Sequence, residues 1–154
     1  MKKAYKLIIS LIIPFLAAAI GSIFTAQTLS TWYATLQRPS FSPPSWIFSP
    51  VWSILFLLMG FSLYLVWKKG IKTKTAATFF GIQLGLNALW SVIFFGLQQP
   101  LWAFVEIIFL WAAILGTIIT FYKIDRRAAY LLIPYLLWVS FAAILNYYIY
   151  ILNI

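Results

Sequence analysis

Indoles, amides, hydroxyls and two isolated carboxylates carry most of the chemistry open to this sequence. It has no His and no Cys, and its only acidic residues are Glu106 and Asp125. Ser-His-Asp and Cys-His catalysis, zinc sites, haem ligation through His or Cys and redox dithiols are therefore excluded, and no metal site is expected. Glu106 lies in an apolar run and Asp125 in a charged stretch, so they do not read as a catalytic pair. No Gly-rich phosphate loop with its Lys is present, which excludes nucleotide-driven transport. The eight Trp remain. An indole offers a broad flat face and one N–H donor, a combination suited to stacking on a planar ligand.

Spacing separates these tryptophans. Trp52 pairs with Phe56 at i+4; Asn87, Trp90 and Ser91 share a helix face at i, i+3 and i+4; Trp138 shares one with Ala142, continuing near Asn146. Trp52, Trp90 and Trp138 can thus line an apolar slot with few polar anchors, as ligand pockets usually do. Trp32, Trp46, Trp67 and Trp111 suit the aromatic belt of a membrane interface. Trp32 and Ile47 also flank the first loop, and Trp102 stands deeper in a run, so these three join the candidate ligand-binding residues. An amide left unsatisfied in hydrocarbon is costly, so Asn87 and Asn146 must face protein or a cavity. Asn87 reads equally as ligand contact or interhelical bond, whereas Asn146 leans to the structural role.

The elements that must position these residues follow from composition. The chain has 154 residues, 64% hydrophobic and 8% charged, with a mean hydropathy of +0.98. A soluble domain is about 45–50% apolar and about 25% charged. A fold this small cannot hide so much apolar surface from water, so its solvent is lipid. Crossing the hydrocarbon core takes about 20 apolar residues in a helix. The uncharged runs divide into five such helices, near 5–27, 46–68, 75–97, 100–122 and 128–151, in a single domain. They are continuously apolar, not alternating, which disfavours a β-barrel. Residues 28–45 form a long aromatic, proline-rich loop with the character of a lid. Ala17, Ala18, Ala19, Gly21 and Ser22 resemble a signal-peptide cleavage region, but the apolar stretch is too long for one.

Charge sets the expected orientation. Lys2, Lys3 and Lys6, then Lys68, Lys69, Lys72 and Lys74, then Lys123, Arg126 and Arg127 fall on one side of the membrane; Arg38 alone falls on the other. The positive-inside rule then places the N-terminus in the cytoplasm and the C-terminus outside, in a multi-pass protein of the cell membrane. The net charge of +9 is accounted for by this topology and does not call for nucleic acid.

The segment "WYATLQRPSFSPPSWIFSPVW", Trp32 to Trp52, resembles the signature of the TspO/MBR family, the tryptophan-rich sensory proteins and the mitochondrial translocator or peripheral benzodiazepine receptor. The similarity continues through "MGFSLYLVWK", "LNALWSVIFFGLQ" and "PYLLWVSFAAILNY" and so covers nearly the whole chain. It implies a five-helix bundle, often dimeric, that binds protoporphyrin IX as ligand or substrate, with no resident cofactor, and also benzodiazepine-site ligands. The family's pocket residues map onto Trp52, Asn87, Trp90, Trp138 and Ala142. Light-dependent oxidative breakdown of the porphyrin is the implied activity, with Trp52 and Trp138 as redox partners. A transporter and a non-catalytic sensor of tetrapyrrole stress are the alternatives.

Three features remain outside that core. Gly81 and Gly85 form a G-x-x-x-G that suits either a homodimer face on the third helix, as the resemblance implies, or internal packing. Glu106, about 9 Å past Pro100 along a helix, is an intramembrane carboxylate with no evident basic partner. The terminal "LNYYIYILNI" lacks the basic residue that completes the sterol motif of the animal relatives, so cholesterol is not expected as a partner. The loose pattern of Leu58, Tyr64 and Lys68 is too weak to restore it.

Overall fold

The computed structural model describes residues 2–70 and 74–154; Lys72 of the basic second loop lies outside them. The described chain runs α1 (Lys2–Thr28), α2 (Trp32–Thr35), a 3-10 turn (Ser45–Ile47), α3 (Phe48–Lys68), α4 (Lys74–Ser91) ending in a π turn (Val92–Gly96), α5 (Pro100–Tyr122), α6 (Arg126–Leu131) and α7 (Ile133–Leu152), with no strand among the described residues. Five stretches are long and apolar enough to cross a membrane: Lys2–Thr28, Ser45–Lys68, Lys74–Gly96, Pro100–Tyr122 and Arg126–Leu152.

Local chemistry explains the breaks. Pro100 takes the first helical position of α5, where its missing N–H costs nothing. Asp125 caps α6 by accepting from the Arg127 backbone N–H at 2.9 Å. Pro134 cannot donate back to the preceding turn, and the fifth span divides at Leu132 into α6 and α7. The third span departs from the uniform helix expected over 75–97. Its last turn widens to a π turn, where the Thr28 hydroxyl donates to the Phe95 carbonyl at 3.1 Å. Gln98 then takes a φ of 55° to reverse the chain toward Pro100.

Packing is closest between α1 and α3 and between α4 and α5; α5 also packs on α7, and α3 on α6. The α1–α3 approach depends on Gly60. A Cβ there would lie 2.9 Å from the Leu11 Cα and 3.0 Å from the Ser10 carbonyl oxygen. That carbonyl is the one Pro14 leaves without its helical donor, so the proline and the glycine act together in one close contact. Met59, Val66, Phe80, Ile114, Phe121 and Leu132 form the centre of the main core. Ile8, Ile12, Leu16, Ile20 and Ile23 of α1 point away from it, as lipid-facing residues do. Because α3 packs on α6 rather than closely along α7, space opens between α3 and α7 toward the loop-one end.

The basic residues gather at the opposite end. Lys2, Lys3, Lys6, Lys68 and Lys69 surround one recess. Asp125 accepts from Lys69 at 3.3 Å and from Arg127 at 3.1 Å. The hydrogen bonds from the Arg127 side chain, and then those from its backbone and Lys69, outweigh burial and lower the Asp125 carboxyl to about 2. A carboxyl depressed in the folded state stabilises it above the unfolded value of about 3.9, and that contribution disappears as pH falls through the folded value. Stability should therefore decline between about pH 4 and pH 2. Asp125→Asn, which keeps a capping oxygen but has no carboxyl to protonate, should lose this decline, as measured by detergent-phase thermal melts across that range.

Candidate functional site

A cavity of about 480 Å³ occupies the space between α1, α3, α4, α5 and α7, and Tyr33 of α2 is among the residues that line it. Eight of the predicted residues line it: Trp52, Phe56, Asn87, Trp90, Ser91, Trp138, Ala142 and Asn146. Three do not. Trp32 packs edge-on against Phe94 at 5.6 Å, Ile47 sits half-buried in the 3-10 turn, and Trp102 is 61% exposed on the outer side of α5. The first turn of α5 directs Trp102 away from the bundle, the position of a belt residue, not of a pocket wall.

The three cavity tryptophans differ in what they have left to offer. Trp90 stacks on Phe94 at 4.9 Å with planes 18° apart, and its Nε1–H donates to Asn146 Oδ1 at 3.0 Å. Asn146 in turn donates to the Pro100 carbonyl at 2.9 Å, which ties α7 to the start of α5. Both groups are thus engaged within the protein. Trp138 Nε1 is buried with no hydrogen-bond partner among the described residues, an arrangement that leaves a donor for a ligand. Trp52 also makes no hydrogen bond through its indole there; its ring leans on Phe56 at 5.6 Å and meets Tyr135 edge-on at 6.2 Å.

Asn87 makes the interhelical bond that its position allowed. Its amide donates to the Tyr135 hydroxyl at 2.7 Å, and that hydroxyl donates to Gln83 Oε1 at 2.7 Å. This chain fixes the cavity floor across α4 and α7, while Asn87 still borders the cavity. Glu106 does not line it. Its two carboxylate oxygens are buried on α5 without partners among the described residues.

Other cavity residues were not singled out from the sequence. Phe94 and Phe95 enter through the π turn, a local widening with no clear sequence signal. Ala17, Ala18, Ala19, Gly21 and Ser22 form much of the α1 wall. Their small size was the available signal, but it also matches a cleavage region. A side chain at Gly21 would press on Ser91 Oγ at 3.1 Å, so this wall has little room to spare.

Loop one is fastened over the cavity. The Gln37 backbone N–H donates to Asn153 Oδ1 at 3.0 Å, and Asn153 Nδ2 donates to the Gln37 carbonyl at 2.8 Å. Phe41 packs edge-on against Phe141 and Tyr148, and the Arg38 guanidinium lies 5.1 Å from the Tyr33 ring centre. Asn153→Ala should remove both bonds of the clasp, each worth about 0.5–1.5 kcal/mol. Amide hydrogen exchange at Gln37 should quicken severalfold while the helices keep their protection; unchanged exchange would show that the clasp does not hold the loop.

A helical membrane protein with an aromatic cavity beneath a fastened loop is the class this fold and site define. The chain matches the TspO/MBR family over residues 10–152 and belongs to it. It is 47% identical to the "Tryptophan-rich protein TspO" of Archaeoglobus fulgidus over 96% of this chain and 97% of that protein. It is 41% identical to the human "Translocator protein" over 87% of this chain and 82% of that one, and 32% identical to the "Tryptophan-rich sensory protein" of Cereibacter sphaeroides over 90% and 88%.

Proposed function

We propose that this protein binds protoporphyrin IX in the aromatic cavity and promotes its light-dependent oxidative breakdown. The observation that carries the reading is the pairing of Trp52 and Trp138 on one cavity, both with indole N–H groups that no described residue accepts from. A planar macrocycle would stack between such faces, and the cavity volume of about 480 Å³ falls within the usual range for small-molecule sites, about 300–1,000 Å³. Arg38, at the same end as Tyr33, supplies a cation for the propionates. The bound porphyrin absorbs the light, and dioxygen is the oxidant. The protein's part is to hold the ring against indoles that can donate an electron to its excited state; the reduced ring passes that electron to dioxygen, the indole radical cation takes one back from the ring, and the oxidised ring and superoxide then combine.

The test is absorbance of purified protein with protoporphyrin IX, in light and in dark. Light-dependent product formation supports the reading. Bound but unchanged porphyrin would favour a sensor, and light-independent flux into sealed vesicles a transporter. Benzodiazepine-site ligands, being flat and apolar, should compete for the same cavity.

The reading extends to assembly and orientation. Gly81 and Gly85 face outward from α4, and a Cβ at either would meet nothing within 4 Å, so internal packing does not account for them. A second copy would use this stripe for close helix approach. Gly81→Leu with Gly85→Leu should convert dimer to monomer by light scattering; a persistent dimer would refute it. The basic end is assigned to the cytoplasm of the cell membrane, with Arg38 outside. Labelling of a cysteine introduced at Lys123 only after membrane permeabilisation is the expected result.

A further inference from the structure

The lysines at the basic end do more than satisfy a topology rule. That rule requires positive residues near the ends of spans, not their convergence on one spot. Here Lys2, Lys3 and Lys6 from the first two turns of α1 and Lys68 and Lys69 from the end of α3 surround a single recess of about 410 Å³. The arrangement is unfavourable by itself. Cations at a helix N-terminus oppose the macrodipole, and α1 has no acidic residue in its first turn. Like charges brought together from two helices also repel. Asp125 accepts from Lys69, but no carboxylate borders the recess among the described residues. Lys2, Lys3, Lys6 and Lys68 thus have no acidic partner among the described residues, and the recess carries a net positive charge that an anion would offset.

We propose that the recess is a binding site for the phosphate of an anionic phospholipid headgroup. Its position at the ends of two membrane spans puts it at headgroup depth. Aromatic side chains stand beside its lysines, as they do at lipid-facing surfaces of that depth. The Lys6 ammonium lies 5.8 Å from the Trp67 ring centre and that of Lys68 lies 5.6 Å from Tyr64, while Tyr5 packs on Trp67 at 6.4 Å. Trp67 and Tyr64 precede Lys68 on α3 and so lie further into the span than its ammonium, where acyl chains would continue from a bound headgroup. Lys6 is half-buried and the other four lysines are exposed, so the phosphate has open access from the interface. The site is separate from the aromatic cavity, with which it shares no lining residue.

The experiment compares two sets of substitutions that remove equal charge from the same end. One is Lys2→Gln with Lys3→Gln and Lys6→Gln, inside the recess. The other is Lys74→Gln with Lys123→Gln and Arg126→Gln, outside it. Each purified variant is placed in nanodiscs of phosphatidylcholine with a minor share of phosphatidylglycerol, and retained lipid is counted by native mass spectrometry after release. The recess variant should retain phosphatidylglycerol at least about tenfold less well than the native chain, given the usual contribution of each basic residue near an anionic surface. The outside variant should stay within about twofold. Equal losses from both would overturn the proposal in favour of diffuse surface charge. Competition by millimolar inorganic phosphate would overturn the lipid source. Replacing the same three lysines by arginine should restore retention; failure to do so in a variant with native helical content would also overturn it.

Discussion

Trp52→Phe combined with Trp138→Phe should leave protoporphyrin bound but slow its light-dependent breakdown to the rate seen in empty detergent micelles. Both residues line the cavity, and both lack an indole partner among the described residues. Phenyl rings retain the aromatic surface, and such ring pairs are worth about 0.5–1.5 kcal/mol, so affinity should change by less than about tenfold. What the change removes is the electron-rich indole and its N–H. Trp90→Phe provides the contrast. Its N–H already serves Asn146, so that change should loosen the tie between α7 and α5 without abolishing breakdown. Breakdown at the native rate in the double variant would eliminate the redox role; loss of binding would make the two indoles anchors only.

The second large effect concerns Tyr135. It is fully buried, joins Asn87 to Gln83, and packs edge-on to Trp52. Tyr135→Ala should cost about 3–5 kcal/mol, as for other large aromatic truncations in cores. Tyr135→Phe keeps the volume and isolates the hydroxyl. It strands the Asn87 amide and the Gln83 carbonyl, and should cost about 1–3 kcal/mol. Part of that cost can be recovered by water or ligand reaching Asn87, which borders the cavity, but not by Gln83, which does not. A ligand should therefore stabilise Tyr135→Phe more than it stabilises the native chain. Denaturant or SDS-titration midpoints, with and without ligand, measure both effects. A Phe variant as stable as the native protein would show that the hydrogen-bond chain is energetically neutral.

Much of this architecture is legible in one dimension. The choice of lipid over water, the five spans and the collection of positive charge at one end depend on composition and on the positions of charges along the chain. These signals survive because a charge in hydrocarbon is costly whatever surrounds it. Pro100 likewise marks a helix start through backbone chemistry that needs no tertiary partner, whereas Asp125, read only as part of a charged stretch, caps α6, whose start at Arg126 lies two residues before the expected start of the last span.

What the sequence could not determine was the rotation of each helix. In water, an apolar stripe tells a helix which side faces inward. In lipid the outer side is apolar too, so periodicity of hydrophobicity no longer separates core from surface. Trp102 and Trp138 look alike in the sequence, yet one points to lipid and the other borders the cavity. Where a polar or small residue marked a helix side, as with Asn87, Ser91, Ala142 and Asn146, that side borders the cavity. Spacing did not reveal that Asn146 is already occupied by Trp90, or that a π turn brings in Phe94 and Phe95. Nor could it show the lysines of two distant segments meeting at one recess. Those outcomes depend on how the helices cross and where they separate, which only the packed bundle decides.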